Sequence, residues 1–146
     1  MRAVLQKVLN ASVTVDGEVV GKIGRGICVL VGISESDEAK DMDYIVRKIL
    51  SVRVFEDEDG KMWSKNVKDL GLEVLCGSKP DFHDAMRSNR SREFFEEFIR
   101  KLRAAYDSSK IQEGRFGAMM LVNIANDGPV TLQLDSRKFT YVSNGS

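Results

Sequence analysis

The 146-residue chain carries 22 basic and 22 acidic side chains and one histidine, so its formal net charge is zero. With 42% hydrophobic and 30% charged residues it has the make-up of one globular domain with a real core, which excludes a disordered chain and a protein that coats nucleic acid along its length. No apolar run approaches the ~18 residues of a membrane span, and the two cysteines, Cys28 and Cys76, with a lone His83 leave no metal-ligand set.

The balanced charge still permits recognition of a single nucleic-acid end. Met1–Lys7 alternates and lacks a signal peptide's apolar block, and both cysteines sit in apolar strand-like runs. The expectation is a cytoplasmic protein with buried free thiols. No cofactor and no metal are expected.

Residues 2–15 read as a long strand marked by Val4, Val8, Val13 and Val15, with Asn10-Ala11-Ser12 breaking the alternation as a bulge. Asp16-Gly17 is a hairpin signal, and Glu18–Ile23 returns as a second strand. Ile27–Ile33 is apolar throughout and predicts a central strand buried on both faces. Ser34–Asp37 then caps a helix over Glu38–Ser51, with Met42, Ile45, Val46, Ile49 and Leu50 at helical spacing. Val52–Phe55 and Lys61–Trp63 read as a short hairpin around the charged turn Glu56–Gly60. That turn lacks a calcium loop's ligand spacing. Leu72–Cys76 is another apolar strand and Gly77–Arg90 is irregular. A second helix covers Ser91–Tyr106, with Phe94, Phe95, Phe98, Ile99, Leu102 and Ala105 as its buried stripe. Glu96–Arg100 and Glu97–Lys101 are expected as ion pairs on its wet side. Strands at Phe116–Ile124 and Val130–Leu134 close the chain before a polar tail. The sum is an α+β fold of about eight strands and two helices, with a mainly antiparallel sheet curled into a barrel. Residues 1–136 form the single domain and 137–146 the tail.

Few residues advertise chemistry. A Ser-His-Asp set can be drawn from Ser78, His83 and Asp81 or Asp84, but no nucleophile-elbow pattern accompanies it. A loop histidine with a local hydrogen bond is the simpler reading. Lys79, Arg87, Arg90 and Arg92 are either a solvated helix entrance or a phosphate contact. Phe116 and Met120 share a strand face, as core packing or as a stacking surface for a base. Cys76 lacks the exposure a nucleophile needs. Asn126-Asp127-Gly128-Pro129-Val130-Thr131 reads on its own as a hairpin turn, although roughly 5–6% of X-Pro bonds in folded proteins are cis. Spacing alone indicates no enzyme.

A family resemblance adds to this. Met1–Val8 followed by Ala11–Val15 resembles the N-terminus of the D-aminoacyl-tRNA deacylases (the D-tyrosyl-tRNA deacylase family). Arg47–Leu50, Arg53–Asp57, Lys79–His83 and Gly114–Met120 are similar to that family in the same order, and Asn126–Thr131 matches its Asn-x-Gly-Pro-x-Thr signature. The resemblance covers essentially the whole chain and is eukaryotic in character. It implies a barrel-like homodimer that hydrolyses the ester of a D-amino acid, or of mischarged glycine, on the terminal adenosine of tRNA. Catalysis and chiral rejection would fall to a cis Gly128-Pro129 reaching into the partner subunit. Substrate contacts would involve Phe116, Gly117 and Met120 at the adenosine, with Ala85, Lys7, Asn126 and Thr131 around the pocket. Two departures stand out. The family's Ser-Gln-x-x-Thr segment has no counterpart, because Leu75-Cys76 passes directly to Gly77-Ser78-Lys79-Pro80. Lys7 also replaces the usual arginine, whose planar fork lysine cannot reproduce. The alternative reading is a non-catalytic, shortened member that binds nucleic acid, DNA included, or a protein partner, with the nucleus as a second compartment.

Overall fold

The valine-rich opening stretch forms β1 (Arg2–Val15), and nearly all of it is paired on two edges. A computed structural model describes residues 1–78 and 88–137. Strand β6 (Leu121–Asp135) runs antiparallel along β1 from Arg2 to Thr14. The remaining edge is shared by β3 (Gly26–Gly32), opposite residues 2–8, and β2 (Glu18–Ile23), opposite residues 11–15. Strand β4 (Glu73–Ser78) adds parallel to β3, and β5 (Ile111–Glu113) parallel to β4. The result is a six-stranded mixed sheet in the order β2-β1-β3-β4-β5, with β6 also on β1.

Helices α1 (Ala39–Ser51) and α2 (Ser88–Ala105) supply the second layer. The predicted α1 stripe is buried to the last residue, whereas on α2 Phe95, Phe98, Ile99 and Leu102 are buried and Ala105 is exposed. Glu38, not Ser34–Asp37, caps α1, in a reciprocal capping box with Asp41. The α2 ion pairs also differ from expectation. Arg100 pairs with Glu97, one residue nearer than predicted, and Lys101 crosses to Asp43 of α1 at 2.7 Å.

Alternation along the strands divides the apolar residues between two cores. Ile27, Val29, Val31, Val74 and Cys76 face the helices in the larger one, together with Leu5 and Phe98. Cys28 and Leu75 point the opposite way, into a smaller core enclosed by the curled sheet with Val8, Ala11, Val13 and Ile23. This explains the unbroken apolar run of β3, which has no solvent face. The sheet curls tightly enough that β2 lies over β5. A Cβ on Gly21 would sit 2.9 Å from the Glu113 carbonyl oxygen and 3.1 Å from Leu75 Cδ1.

Three strand expectations change. Phe55 and Lys65 form an isolated bridge in place of the hairpin of Val52–Phe55 with Lys61–Trp63. Residues 114–120 form a turn, so the strand expected from Phe116 begins at Leu121. The hexapeptide 126–131 does not separate two hairpin strands, because the chain on both sides of it stays on β1: Asn126 faces Val8 and Thr131 faces Gln6. The turn-forming residues have produced a bulge within one long strand, the position a sheet allows for a proline that cannot donate to the ladder.

The end of β6 is tied to the start of α1 by charge. The buried Asp41 carboxylate accepts from Ser136 Oγ at 2.6 Å and from the Glu38 amide at 2.8 Å, and Arg137 pairs with it at 3.3 Å. Arg137 Nη2 also donates to the Ser36 carbonyl. Of the expected tail, residues 138–146 lie outside the described residues. Burial pushes the Asp41 carboxyl up, but the hydrogen bonds from Ser136, Glu38 and Arg137 and the nearby N-terminal ammonium outweigh it and hold the group at about 2. A carboxyl depressed in the folded state stabilises above its ordinary range and loses that contribution as pH falls toward the folded value. Asp41→Asn is therefore expected to flatten the loss of stability between about pH 5 and pH 2, read as urea midpoints across that window. A separate expectation concerns Gly26, where a Cβ would overlap the Glu73 carbonyl oxygen across the parallel β3–β4 pair. Gly26→Ala should cost about 3 kcal/mol by overpacking against backbone that cannot yield, measured by equilibrium unfolding.

Candidate functional site

The bulge is built from chain-length mismatch. Asp127, Gly128, Pro129 and Val130 all stand opposite Lys7 alone, so the extra residues must leave the plane of the ladder. Val130 folds back into the larger core, while Gly128 and Pro129 are left exposed. The Gly128–Pro129 peptide is cis, and Gly128 has φ +133°. A Cβ at Gly128 would lie 2.7 Å from Val130 Cγ2 and 3.1 Å from the Val130 nitrogen, so both backbone and space require glycine there.

Asn126 holds the bulge closed. Its Oδ1 accepts from the Val130 amide at 2.8 Å, and its Nδ2 donates to Thr131 Oγ1 at 3.1 Å. Both residues were expected around a substrate; in this chain their side chains bond each other and the bulge backbone.

Lys7 sits beneath the same bulge, 2% exposed. Its Nζ donates to Glu56 Oε2 at 2.8 Å and lies 3.6 Å from Asp127 Oδ2. Arg25 grips the other Glu56 oxygen at 2.6 Å, and both cations lie over the Phe55 ring, Lys7 at 5.6 Å and Arg25 at 5.3 Å from its centre. The Lys7 hydrogen bond, before any other influence, holds the Glu56 carboxyl below the usual range. A buried ammonium needs such partners, since an unpaired one costs several kcal/mol, by order of magnitude. Sequence reasoning missed Glu56, Arg25 and Asp127. Glu56 looked like part of a solvated acidic turn, and no spacing links residues 7, 25, 56 and 127.

Phe116, Gly117 and Met120 form a second group, on the turn between β5 and β6. The Phe116 ring packs 5.8 Å from that of Phe95, and the Arg92 guanidinium lies 5.2 Å above it. Gly117 has φ +76° and is exposed. Met120 covers Gly77 and Gly114: its Cε would be 3.6 Å from a Cβ on either, and its Sδ 2.7 Å from one on Gly114. Met119 is 91% exposed beside it. The structure brings Lys7, Asn126, Gly128, Pro129 and Thr131 together and, separately, Phe116, Gly117 and Met120. Among the described residues no hydrogen bond or ion pair joins the two groups within one chain. Ala85 and the Lys79–Asp84 stretch with His83 lie outside the described residues.

Burial pushes the Cys28 thiol up to about 11 and that of Cys76 higher still, so neither supplies a thiolate near neutral pH. Among the described residues no group of acidic, cysteine or histidine side chains could hold a metal, and no helix is long and apolar enough to cross a membrane. The site is thus one of exposed backbone, stacked rings and held cations.

The barrel-like α+β fold, with the Gly-Pro bulge of the signature hexapeptide on its surface, is the one the family resemblance of the sequence implied. The family model described as D-Tyr-tRNA(Tyr) deacylase matches residues 4–135, and the chain belongs to that family. It is 53% identical to a D-aminoacyl-tRNA deacylase of Drosophila melanogaster, over 93% of this chain and 92% of that protein. It is 51% identical to D-aminoacyl-tRNA deacylase 1 of Homo sapiens, over 93% of this chain and 70% of that one. The solved structure of the c-Myc DNA Unwinding Element Binding Protein superposes with a TM-score of 0.89 at 51% identity, covering 92% of this chain and 98% of its own. The fruit-fly match spans 147 aligned positions, more than the whole chain's 146 residues, so it includes positions at which this chain has a gap.

The bracing role of Asn126 is testable apart from any activity. Asn126→Ala removes the acceptor of a Val130 amide next to the core, and an unsatisfied buried donor costs about 1–3 kcal/mol. The expected outcome is a loss of that size in thermal or urea unfolding, with Thr131→Ala costing less.

Proposed function

We propose that the chain hydrolyses the ester of D-aminoacyl-tRNA, releasing the free D-amino acid and restoring the terminal ribose hydroxyl of the tRNA. The observation that carries this reading is the bulge itself, a rigid backbone feature held by Asn126 and Lys7 and presented to solvent, in a chain of this family. Carbonyls of Gly128 and Pro129 contact what every D-amino acid shares, the ammonium and the direction of the Cα substituents, without reading the side chain. An L-residue is rejected because its side chain would run into the wedge, and exclusion discriminates better than one added contact. Glycine on tRNA, having no side chain, passes the same test.

Phe116, Gly117 and Met120 receive the terminal adenosine, and Ala85 lies at the pocket wall. Lys7, Asn126 and Thr131 set the position of the wedge. The wedge and the adenosine turn of one chain share no hydrogen bond or ion pair among the described residues, which supports a homodimer in which each subunit's Gly128-Pro129 completes the other's pocket. An aminoacyl ester is already activated, so a water molecule can attack its carbonyl carbon without a protein nucleophile. Backbone N–H groups and the neighbouring 2′-hydroxyl of the tRNA are then the donors for the oxyanion. The absent Ser-Gln-x-x-Thr segment shifts more of that burden to the 2′-hydroxyl. The domain runs through residues 1–136, and the cytoplasm, where aminoacyl-tRNA is made and used, is its compartment.

The test is hydrolysis of D-Tyr-tRNA and L-Tyr-tRNA by the full chain and by Gly128→Ala. Release of D-tyrosine alone is expected, with a loss of at least about a hundredfold in the variant, the scale set by a small misplacement of positioning groups. Binding of tRNA without release of either amino acid at high enzyme concentration would instead support a non-catalytic binder.

A further inference from the structure

The start of α2 carries two described basic side chains that behave differently. Arg90 is engaged, its Nη1 donating to Glu35 Oε1 at 2.9 Å. Arg92, two residues on, is exposed and has no ion pair or hydrogen-bond acceptor among the described residues. Its guanidinium instead lies 5.2 Å over the Phe116 ring, and its Nη2 would be 3.7 Å from a Cβ on Gly117.

Each part of that arrangement is held in place. Phe116 is backed by Phe95, which is buried in the larger core. The contact with the ring holds the guanidinium over it, and among the described residues no acceptor takes up its N–H groups. Gly117 keeps the space beside those groups free of any side chain. A guanidinium with no acceptor among the described residues, beside the turn of Phe116 and Gly117, suits a phosphodiester, which its fork of N–H donors can bind in bidentate fashion. Arg115 on the same turn is exposed and adds to the positive field, but no ring holds it.

We infer that Arg92 binds the phosphodiester on the 5′ side of the tRNA's terminal adenosine. The inference rests on the reading of Phe116, Gly117 and Met120 as the adenosine site. Arg92 already lies over the Phe116 ring, so the base is received beside that ring, at Gly117 and Met120, and its 5′-phosphate, one ribose away, comes within reach of the guanidinium. Arg92 is a substrate-binding group that anchors the end of the RNA and takes no part in the chemistry at the ester.

The test compares a phosphate-bearing ligand with one that lacks it. Binding of a minihelix RNA ending in CCA and of free adenosine is measured for the unaltered chain and for Arg92→Gln, Arg92→Lys and Arg90→Gln. Arg92→Gln is expected to weaken the RNA about tenfold, leave adenosine unchanged, and lower the slope of log affinity against log salt by about one. Arg92→Lys should fall between, because it keeps the charge and loses the planar fork. Arg90→Gln should match the unaltered chain. Equal weakening of both ligands by Arg92→Gln would show that Arg92 only supports Phe116, and no weakening of either would remove it from the site; each result overturns the inference. Because the readout is binding, a chain that holds the RNA but does not hydrolyse D-Tyr-tRNA defeats the deacylase reading while leaving the Arg92 ratio decisive. A chain whose adenosine binding survives Phe116→Ala defeats the site on which the inference rests.

Discussion

The register of β6 against β1 governs the molecule. For most of their length the two strands pair residue for residue, but Asp127–Val130 has only Lys7 to face. Surplus chain in a ladder has to leave the plane, and here it leaves on the side away from the core, carrying Gly128 and Pro129 into solvent. The mismatch works only because the rest of the sheet does not move. Strand β1 is held by β6 along one edge and by β3 and β2 along the other, so it cannot slide to absorb the extra residues.

The same mismatch explains why a lysine is buried in the larger core's flank. Lys7 points to the face that includes Ala3 and Leu5, below the bulge, and its ammonium is compensated by Glu56 and Asp127. Glu56 is in turn shared with Arg25. Removing water from one cation therefore commits residues from β1, the β2–β3 connection, the acidic turn and the bulge to a single arrangement. Asn126 adds the neutral half of that bracing through Val130 and Thr131. A wedge made of backbone has no side chain of its own to anchor it, so its position depends on these surroundings.

The turn that carries Phe116, Gly117 and Met120 is supported differently, by packing. Phe95 backs Phe116, and Met120 packs over Gly77 and Gly114, where a Cβ on Gly114 would crowd its sulfur at 2.7 Å. Two supports of different physical kind, one ionic and one apolar, thus hold the two halves of the proposed pocket. Both cysteines are buried with their thiols pushed up, so neither offers that pocket a nucleophile.

Much of the fold could be read from the chain. The all-apolar run of β3, the helical spacing on α1 and the Asp16-Gly17 turn each report a local cause, namely burial on two faces, burial on one, and a backbone that needs φ > 0. The family could be read as well, because the Asn-x-Gly-Pro-x-Thr signature and its flanking stretches lie in fixed order. What local patterns could not convey was pairing. Asn126–Thr131 has turn-forming residues whether it reverses the chain or bulges from a strand, and only the partner register at Gln6 and Val8 decides between them. The parallel β3–β4–β5 pairings, the ion pairs of Lys7 and the placing of Arg92 over the Phe116 ring join residues far apart along the chain. Such contacts leave no period in the sequence, and the tertiary structure alone selects them, because the sum of burial and charge compensation over the whole sheet determines which distant residues meet.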